Sequence, residues 1–532
     1  MRATLTTTAR RGIALGLGLA AVLAGGLPAQ TLTGRPAPPA GPDLAAYEHQ
    51  RLDWTPCPAA QKELNAAGAR CAYVTVPLDY ADPHGRTIEI AISRVEATAP
   101  ASERRGVLLS NPGGPGGPGL AHTLALRPAL KDVADRYDLI GFDPRFLGES
   151  TPLVCAPADR PAPPVTTSAR AGFDAAVRDA REDARRCHEH GDNRALLPHA
   201  SSRDVARDMD VIRAALGRRT LSYYGVSYGA DLGVTYTQMF PRRVDRFVVD
   251  SVTDPAATQY EQFRRSGAPA ERALDEWAAW TARRHAAYRL GRTAAEVRAR
   301  VEEVLAHAER RPLPVAGQRL TAPLLRMILK QPLTQAENDA LLAALVRDLV
   351  AADRGKLTEP GPELAAMLKT LGSPEVADSM LGGMIFMCGD GGWPAGGWPS
   401  ATETYWRNSV RSRATEPVFG PFVNGITAPC LFFEEPPREP AVTVDNDVPV
   451  LMLQAERDHT RFADALAMHR ALRGSRLVAT DIRAHGVYGR DIEGLTRVPC
   501  ADRAVNDYLG GGALPGRDVD CPAPTARVTD RP

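Results

Sequence analysis

The sequence predicts an α/β fold, in which a mainly parallel sheet has helices on both faces and a large, mostly helical cap is inserted between the last sheet strands. In the first half of the 532-residue chain, short apolar runs alternate with helical stretches, which is typical of parallel sheets. Amphipathic helical stretches then dominate residues 255–430, and strand-like runs return only near residue 450. We therefore expect an α/β core formed by 46–254 and 431–532, with the cap between them at 255–430.

Eight strand-like runs build the predicted sheet, and turn-forming or helical segments separate them. These runs lie at 72–77, 87–96, 106–110, 137–142, 221–226, 246–250, 448–454 and 475–480. Core helices are expected at about 168–217, from residue 227 to about residue 240, and at 501–509. Within the cap, the clearest helical stretches are 268–310 and 337–352.

The N-terminal segment is typical of an export signal. Basic residues precede an apolar run from Gly12 to Leu27, so we expect a signal peptide at 1–29 and a Pro-rich linker or propeptide at 30–45. A membrane anchor is the alternative, but the run is short and Gly-rich, and no second apolar span follows. The export route, general secretory or twin-arginine at Arg10-Arg11, stays open. The expected location is secreted or associated with the cell envelope, without stable membrane insertion.

The composition is ordinary for a soluble globular protein. Hydrophobic residues make up 44% of the chain, charged residues 24%, and the formal net charge is +1. No overall field favours a polyanion, so a nucleic-acid partner is not expected.

Eight cysteines in an exported chain indicate disulfide bonds. The simplest pairing joins sequence neighbours: Cys57 with Cys71, Cys155 with Cys187, Cys388 with Cys430, and Cys500 with Cys521. The sequence alone leaves this connectivity open. A zinc site is the alternative, but the chain has no CxxC pair and no Cys/His cluster, so no metal site is predicted.

The segment Gly225-Val226-Ser227-Tyr228-Gly229 matches the G-x-S-x-G pattern of a nucleophile elbow. It follows a predicted strand and precedes a predicted helix, which is the context that the sharp turn requires. Small residues are needed on either side of the turn, and glycine meets that need. A chance match in a Gly-rich chain is the alternative, and the strand-turn-helix context argues against it. Ser227 is therefore the predicted nucleophile.

A Gly/Pro loop at 111–119 (NPGGPGGPG) follows an earlier predicted strand. Acyl transfer needs two backbone N–H donors directed at the developing oxyanion. One is expected from Tyr228, directly after the nucleophile, and the other from this loop, with Gly114 favoured and Gly113 as its rival. A flexible loop or a phosphate cradle is the alternative, but the Gly-Lys-Ser/Thr of a Walker loop is absent.

The acid and the base are expected after the nucleophile, at the ends of later strands. Asp458 follows the strand at 448–454 and is the predicted acid, with Glu456 as its rival. His485 follows the last strand and is the predicted base, because His459 and His469 lie too near Asp458 in sequence. His485 would take the Ser227 proton, Asp458 would orient the imidazole, and no cofactor or metal would be needed.

Several longer segments carry a resemblance to a known family. They are WTPCP at 54–58, VTVPLDYADP at 74–83, NPGGPGGPG at 111–119, GFDPRFLGEST at 141–151, GVSYGA at 225–230, AHGVYG at 484–489 and the terminal CADRAVNDYL with Cys521. Together they resemble the secreted tripeptidyl aminopeptidases of actinobacteria and the related mycobacterial cell-envelope serine protease. Both groups belong to the prolyl-aminopeptidase-like branch of α/β hydrolases, and the resemblance covers almost the whole mature chain.

The resemblance implies an exported serine hydrolase of the α/β-hydrolase fold that releases di- or tripeptides from peptide or protein N-termini. It also implies Ser227, Asp458 and His485 as the triad and a Cys500–Cys521 disulfide. Two loops depart from the family pattern. Phe146 and Leu147 add bulk beside the expected pocket, and the acid loop lacks the usual early Gly and the Thr-Pro after the acid. These departures leave the triad intact and bear on the substrate.

An aminopeptidase must recognise a cationic N-terminus, so the cap is expected to offer a carboxylate near the pocket. Asp390 and Glu434 are the candidates, with solvated loop acids as the alternative reading. Trp393 and Trp398 are candidates for lining the same pocket or for simple packing. Triad chemistry alone does not separate a peptidase from an esterase or lipase. A non-catalytic binding protein is disfavoured, because nucleophile, acid, base and oxyanion loop all occur in the required order.

Overall fold

The computed structural model describes residues 43–155, 168–390, 398–425, 429–433, 438–490 and 497–523, which belong to one compact unit. The predicted signal peptide at 1–29 and residues 30–42 of the predicted linker lie outside these ranges. Within them, none of the helices combines the length and the apolar character needed to cross a bilayer.

Twelve strands occur in the described residues. They are β1 (Thr55–Pro56), β2 (Arg70–Pro77), β3 (Thr87–Val95), β4 (Gly106–Asn111), β5 (Tyr137–Phe142), β6 (Leu221–Val226), β7 (Val244–Asp250), β8 (Leu313–Val315), β9 (Gln318–Leu320), β10 (Val450–Ala455), β11 (Arg476–Thr480) and β12 (Val519–Cys521). β8 and β9 form a separate antiparallel hairpin, and the other ten strands form one sheet in the order β1-β2-β3-β5-β4-β6-β7-β10-β11-β12.

The sheet is antiparallel at one end and parallel elsewhere. β1, β2, β3 and β5 pair antiparallel in that order, and every pair from β5-β4 to β11-β12 is parallel. The mainly parallel sheet that the sequence predicts is therefore confirmed. Because β4, β6, β7, β10 and β11 all run the same way, the chain leaves each of them at the same edge of the sheet. Side chains that follow these strands can therefore meet.

The helices before the β7 strand cover or connect the strands. They are α1 (Ala45–Glu48), α2 (Lys62–Ala66), α3 (His122–Ala125), α4 (Arg127–Leu130), α5 (Ala169–Glu189), α6 (Asn193–Leu196), α7 (Ser202–Ala215) and α8 (Tyr228–Met239). The sequence predicts one helical region over about 168–217, whereas the structure divides it into α5, α6 and α7. Gly191 has a φ of 53°, and Pro198 sits in the short 3₁₀ turn before α7, so the helical hydrogen-bond ladder is interrupted twice.

The segment between β7 and β10 is mostly helical. Its helices are α9 (Gln259–Arg265), α10 (Gly267–Ala282), α11 (His285–Tyr288), α12 (Ala294–Arg310), α13 (Ala322–Leu333), α14 (Asp339–Asp353), α15 (Pro362–Leu371), α16 (Pro374–Gly389), α17 (Thr402–Ser412) and α18 (Gly420–Gly425). Two more helices, α19 (Phe462–Ala471) and α20 (Pro499–Leu509), follow β10 and β11. This arrangement confirms the mostly helical insertion between the last sheet strands, and the domain boundaries at 254 and 430 stay predictions.

Apolar side chains alternate between the two faces of the sheet, as the period of a strand requires. Tyr223 and Met452 belong to the buried cluster on one face, together with side chains of α7, α8 and α19. Tyr224 and Leu453 belong to the cluster on the other face, together with α4 and α20. The helical insertion has a third buried cluster of its own around Trp277, whose indole N–H donates to the Asp339 carbonyl at 3.0 Å. Burial of a large apolar side chain stabilises the folded state by about 1.5–3 kcal/mol. Packing on both faces therefore stabilises the sheet whose edge carries the candidate site.

Among the cysteines whose side chains the structure describes together, three disulfides join sequence neighbours. Cys57 is bonded to Cys71, Cys155 to Cys187 and Cys500 to Cys521, as in the simplest predicted pairing. The side chain of Cys430 lies outside the described part of the chain, so the fourth pair, 388–430, stays a prediction.

Candidate active site

Ser227 lies in the tight turn between β6 and α8. It has φ 60° and ψ −129°, a region that a non-glycine residue adopts only under strain. Its N–H donates to the Asp250 carbonyl at 2.9 Å, and its carbonyl accepts from the Ala230 N–H at 2.8 Å. The residue is only partly buried. The turn therefore holds the Ser227 hydroxyl at the accessible edge of the sheet.

The glycines of the elbow are required by close approaches. A Cβ on Gly225 would overlap the carbonyl of Gly229, and a Cβ on Gly229 would overlap the carbonyl of Asn111 at the end of β4. The elbow therefore packs directly against the start of the Gly/Pro loop, which explains the G-x-S-x-G spacing physically.

The Gly/Pro loop contacts the turn through Gly113. A Cβ at Gly113 would lie 3.2 Å from the Tyr228 nitrogen and 3.0 Å from the Ser227 Cβ. The Gly113 N–H already donates to Asn111 Oδ1 at 2.8 Å. Within the described ranges, the N–H groups of Gly114 and Tyr228 have no hydrogen-bond partner. The two donors chosen from the sequence are thus free, whereas that of the rival Gly113 is used.

A buried carboxylate fixes the far end of this loop. Asp143 Oδ1 accepts from the N–H groups of Gly119 and Leu120, and Oδ2 accepts from the Glu149 N–H, all at 2.8 Å. Burial raises the pKa of Asp143, and the three backbone donors oppose that rise. The loop is therefore held at both ends, by Asn111 and by Asp143.

The side chains of Asp458 and His485, the predicted acid and base, are in contact after β10 and β11. Nδ1 of His485 lies 3.0 Å from Asp458 Oδ1 and 3.1 Å from Oδ2. The Asp458 side chain is fully buried, and the rival Glu456 is exposed. Burial alone would raise the pKa of Asp458, but the adjacent imidazoles hold it well below its usual range. Burial would lower the pKa of His485, but the Asp458 carboxylate outweighs burial and raises it.

The end of β7 holds the His485 loop against the elbow. Asp250 Oδ2 accepts from the N–H groups of Val487 and Tyr488, at 2.8 and 2.9 Å. The neighbouring Ser251 hydroxyl accepts from the Gly486 N–H at 2.8 Å. A Cβ at Gly486 would lie 3.3 Å from Val226, so the base loop touches the residue before Ser227. Sequence reasoning missed Asp250, although its place at the end of an apolar strand was a signal.

The helical insertion also holds the base loop. Gln335, between α13 and α14, donates to the His485 carbonyl at 2.7 Å. Arg490 donates to Gln335 Oε1 at 2.7 Å and pairs with Glu337 at 2.6 Å, and both charged side chains are almost completely buried. These residues were also missed, because nothing in the local sequence marks them.

His459 lies beside the acid–base pair. Its Nδ1 is 3.1 Å from Asp458 Oδ1, and its ring centroid is 4.1 Å from that of His485. Burial, followed by the charge of His485, lowers the pKa of His459 to about 4. Desolvation lowers the pKa of Lys330 on α13 to about 8, and its charge acts on Asp458 and on both histidines.

Asp390, at the end of α16, lies close to the elbow. One carboxylate oxygen accepts from the Ser202 N–H, and the other lies 2.7 Å from the Ser202 hydroxyl. The same hydroxyl is 2.7 Å from the Tyr228 hydroxyl. Since Ser202 has one hydroxyl hydrogen, donation to the carboxylate leaves its oxygen to accept from Tyr228. Burial raises the pKa of Asp390 to about 6.

The other predicted pocket residues have different outcomes. Glu434 and Trp393 lie outside the described residues. Trp398 is buried and packs between Tyr260 and Phe263, with ring centroids 5.9 Å away in each case. Phe146 and Leu147 are buried. Leu147 packs closely against α16, since a Cβ added to Gly382 of that helix would lie 2.9 Å from the Leu147 side chain.

Comparison with known proteins gives one family and several relatives. Residues 106–485 match the family described as alpha/beta hydrolase fold. A tripeptidyl aminopeptidase of Streptomyces coelicolor is 36% identical over 513 residues, which is 92% of this chain and 90% of that protein. Serine protease Hip1 of Mycobacterium tuberculosis is 35% identical over 238 residues, or 43% of this chain and 45% of its own. Carboxylesterase B of the same species is 34% identical over 222 residues, or 40% and 42%.

Proposed function

The chain belongs to the α/β-hydrolase family and is a serine peptidase, and from that premise we propose that it is exported and releases di- or tripeptides from peptide N-termini through an acyl-enzyme on Ser227. The contact of His485 with Asp458, in a loop that touches the Ser227 turn, is the observation that carries the catalytic part of the proposal. The similarity to a tripeptidyl aminopeptidase along 92% of the chain supports the substrate class. Three disulfides support an oxidising, extracellular location.

In the proposed mechanism, the Ser227 oxygen attacks the carbonyl carbon of the scissile peptide bond. His485 accepts the hydroxyl proton on Nε2, because Nδ1 faces Asp458. The N–H groups of Tyr228 and Gly114 stabilise the oxyanion. His485 then returns the proton to the leaving amine, which carries away the rest of the peptide. A water molecule, activated in turn by His485, hydrolyses the acyl-enzyme and frees the short peptide.

Substrate length is proposed to be set by the helical insertion. Its helix α16 packs on the Gly/Pro loop, since a Cβ at Gly383 would overlap the Pro115 carbonyl. Asp390 directly follows this helix, and the Ser202 hydroxyl lies between its carboxylate and the Tyr228 hydroxyl. We propose that Asp390 binds the free N-terminal amine of the substrate and that Glu434 assists it. A carboxylate that already accepts two hydrogen bonds has lone pairs left for an ammonium group.

The test compares three substrates on the purified mature protein: a free-amine tripeptide anilide, its N-blocked form and a p-nitrophenyl ester. We expect cleavage of the free-amine anilide with a kcat/KM well above that of the blocked form. Ester-only turnover would contradict the aminopeptidase proposal and favour an esterase, which the partial match to a carboxylesterase makes the second candidate.

Two variants test the catalytic roles and one tests amine recognition. Ser227→Ala is expected to lower kcat by about 10⁴-fold or more, and Asp458→Asn by about 10⁴-fold through the wrong His485 tautomer. Asp390→Asn should raise KM for the free-amine anilide and leave KM for the blocked form unchanged. Equal KM changes for both substrates would remove Asp390 from amine binding, and activity retained in Ser227→Ala would overturn the mechanism.

A further inference from the structure

Two imidazoles and one carboxylate meet at the catalytic edge of the sheet. Asp458, His459 and His485 each offer one ligand atom, and these atoms lie within 4.8 Å of one another. The mechanism uses Asp458 and His485 and gives His459 no task. The sequence predicts no metal site, because no Cys/His cluster is visible along the chain. In the fold, however, the two histidines lie close together although they are 26 positions apart in sequence, because β10 and β11 pair in parallel and each histidine follows one of these strands.

His459 has an unused ring nitrogen in this cluster. Its Nδ1 is buried and lies 3.1 Å from Asp458 Oδ1, yet it makes no hydrogen bond among the described residues. The contact with Asp458 is close but lacks hydrogen-bond geometry, so the hydrogen-bonding capacity of this nitrogen is not fully used. A metal ion bound there would take up the lone pair of this nitrogen and would share the Asp458 carboxylate that both histidines already face.

We propose that Asp458, His459 and His485 form an inhibitory binding site for a borderline divalent transition-metal ion, with Zn²⁺ as the representative. Imidazole and carboxylate together suit Zn²⁺, and three protein ligands plus one water complete a tetrahedron. With Zn–N and Zn–O bonds of about 2.0–2.2 Å, neighbouring ligand atoms of a tetrahedral site lie about 3.4 Å apart. Two ligand atoms that are now up to 4.8 Å apart would therefore have to approach each other by up to about 1.4 Å. Both histidines are 19–25% exposed and only partly confined, so a ring rotation can supply that movement.

Binding would block the proposed mechanism through the protonation state of His485. The neutral imidazole has one N–H, and the active tautomer keeps it on Nδ1, so that the Nε2 lone pair can accept the Ser227 proton. A metal on Nδ1 displaces that proton to Nε2, which then has no lone pair to offer. A metal on Nε2 occupies the accepting lone pair itself. In either case a coordinate bond forms to a ring nitrogen, no electron is transferred, and Ser227 keeps its proton.

One charge opposes this site. The Lys330 ammonium acts electrostatically on Asp458 and on both histidines. A metal ion would sit in its repulsive field, so Lys330 should weaken binding without removing any ligand. Lys330→Met should therefore raise the affinity for Zn²⁺, whereas removal of a ligand should lower it.

The test measures binding and inhibition separately on the full mature chain. Equilibrium dialysis with Zn²⁺, and the visible d–d absorption of added Co²⁺, report binding whether or not the protein is active. Initial rates are measured with whichever of the peptide anilide and the p-nitrophenyl ester is hydrolysed, at rising Zn²⁺ and after removal of the metal with EDTA. Each variant is compared with its own metal-free rate. His307→Gln is the matched control, because His307 also pairs with a carboxylate, Asp353 at 2.8 Å, but has no second imidazole beside it.

We expect one Zn²⁺ per chain, inhibition that EDTA reverses, and a loss of affinity of about tenfold or more in His459→Gln but not in His307→Gln. Unchanged Zn²⁺ binding in His459→Gln would overturn the inference, as would Zn²⁺ bound at this site without inhibition. The inference rests on the proposed roles of Asp458 and His485, but the two failures are distinguishable. If neither substrate is hydrolysed, the proposed function fails while His459-dependent metal binding still supports the site.

Discussion

At the scale of single residues, one buried carboxylate, that of Asp250, holds the His485 loop in place. Asp250 is completely buried, and burial raises its pKa to about 6. It accepts two N–H groups from the His485 loop and the Tyr224 hydroxyl, and its own backbone carbonyl accepts from Ser227. One residue at the end of β7 therefore positions both the proposed nucleophile, Ser227, and the loop of the proposed base, His485.

This arrangement predicts the effect of Asp250→Asn. The Asn amide can place its oxygen where Oδ2 now accepts, so the two backbone N–H groups keep an acceptor but lose its charge. A hydrogen bond to a charged group contributes about 1.5–3 kcal/mol and one to a neutral group about 0.5–1.5 kcal/mol, so the hold on the His485 loop is weakened. We expect kcat to fall about 10–100-fold, because a displacement near 1 Å at the base is enough for that, and we expect the melting temperature to fall as well. Kinetics and thermal unfolding are the measurements.

The control for that prediction is Asp245→Asn in the same strand. Asp245 is exposed and, within the described part of the chain, accepts only from the Ser222 hydroxyl, at 3.0 Å. Its loss should leave kcat within about twofold, since it lies at the opposite end of β7 from the catalytic edge. Equal kcat in Asp250→Asn and in the native protein would show that the His485 loop does not depend on Asp250.

The raised pKa of Asp390 leads us to expect that the stability of the fold depends on pH. Because burial raises its pKa to about 6, the folded state binds this proton more tightly than the unfolded chain, in which the pKa is about 3.9. The resulting stabilisation is fully present below the unfolded pKa and is lost as the pH rises through about 6. Asn does not titrate. The melting temperature of Asp390→Asn minus that of the native protein should therefore become more positive between pH 4.5 and 7.5. A constant or falling difference in thermal unfolding scans would contradict it.

At the scale of elements, the proposed catalytic edge is formed by the ends of five parallel strands and by one junction in the insertion. The positions of the candidate residues at strand ends could be predicted from sequence, because strand order and residue type together restrict the candidates to Ser227, Asp458 and His485; their catalytic roles stay proposals. The supporting contacts could not. Asp250 and Val487 are 237 positions apart, and Gln335 and His485 are 150 apart. Such contacts depend on tertiary packing that no local pattern encodes.

We predict that the junction between α13 and α14 couples the helical insertion to the His485 loop. Arg490 and Glu337 pair at 2.6 Å with side-chain exposures of 4% and 11%, and Arg490 also donates to the Gly486 carbonyl at 3.2 Å. Glu337→Gln removes one charge of a buried pair, which costs up to about 3–5 kcal/mol. We expect kcat to fall more than KM rises for the free-amine anilide, because the contact bears on the His485 loop rather than on substrate.

A double-variant cycle separates this coupling from general damage. Glu337→Gln, Arg490→Gln and the pair together should give a non-additive free energy of about 0.5–3 kcal/mol in both kcat and unfolding. Additive effects on kcat would mean that the two side chains act on the base independently, and the proposed coupling would then be wrong.

At the scale of the whole molecule, the proposed catalytic residues cluster at one edge of the sheet, and the described disulfides lie elsewhere. Cys500–Cys521 ties α20 to β12, the outermost strand, which pairs with β11. Neither cysteine contacts Ser227, Asp458 or His485 among the described contacts. Stability and catalysis should therefore respond differently to loss of this bond.

The double variant Cys500→Ser/Cys521→Ser tests that separation. A bond that closes a loop of 21 residues restricts the unfolded chain and contributes about 3 kcal/mol in the chain-entropy account. Spread over a chain of this length, that loss should lower the melting temperature by a few degrees. At 25 °C kcat should stay within about twofold of the native value, because β11 keeps its pairing with β10 on its other side. Thermal unfolding with and without reductant, beside kcat at 25 °C, measures both. A large fall in kcat at an unchanged melting temperature would instead mean that β12, the edge strand, helps to position His485.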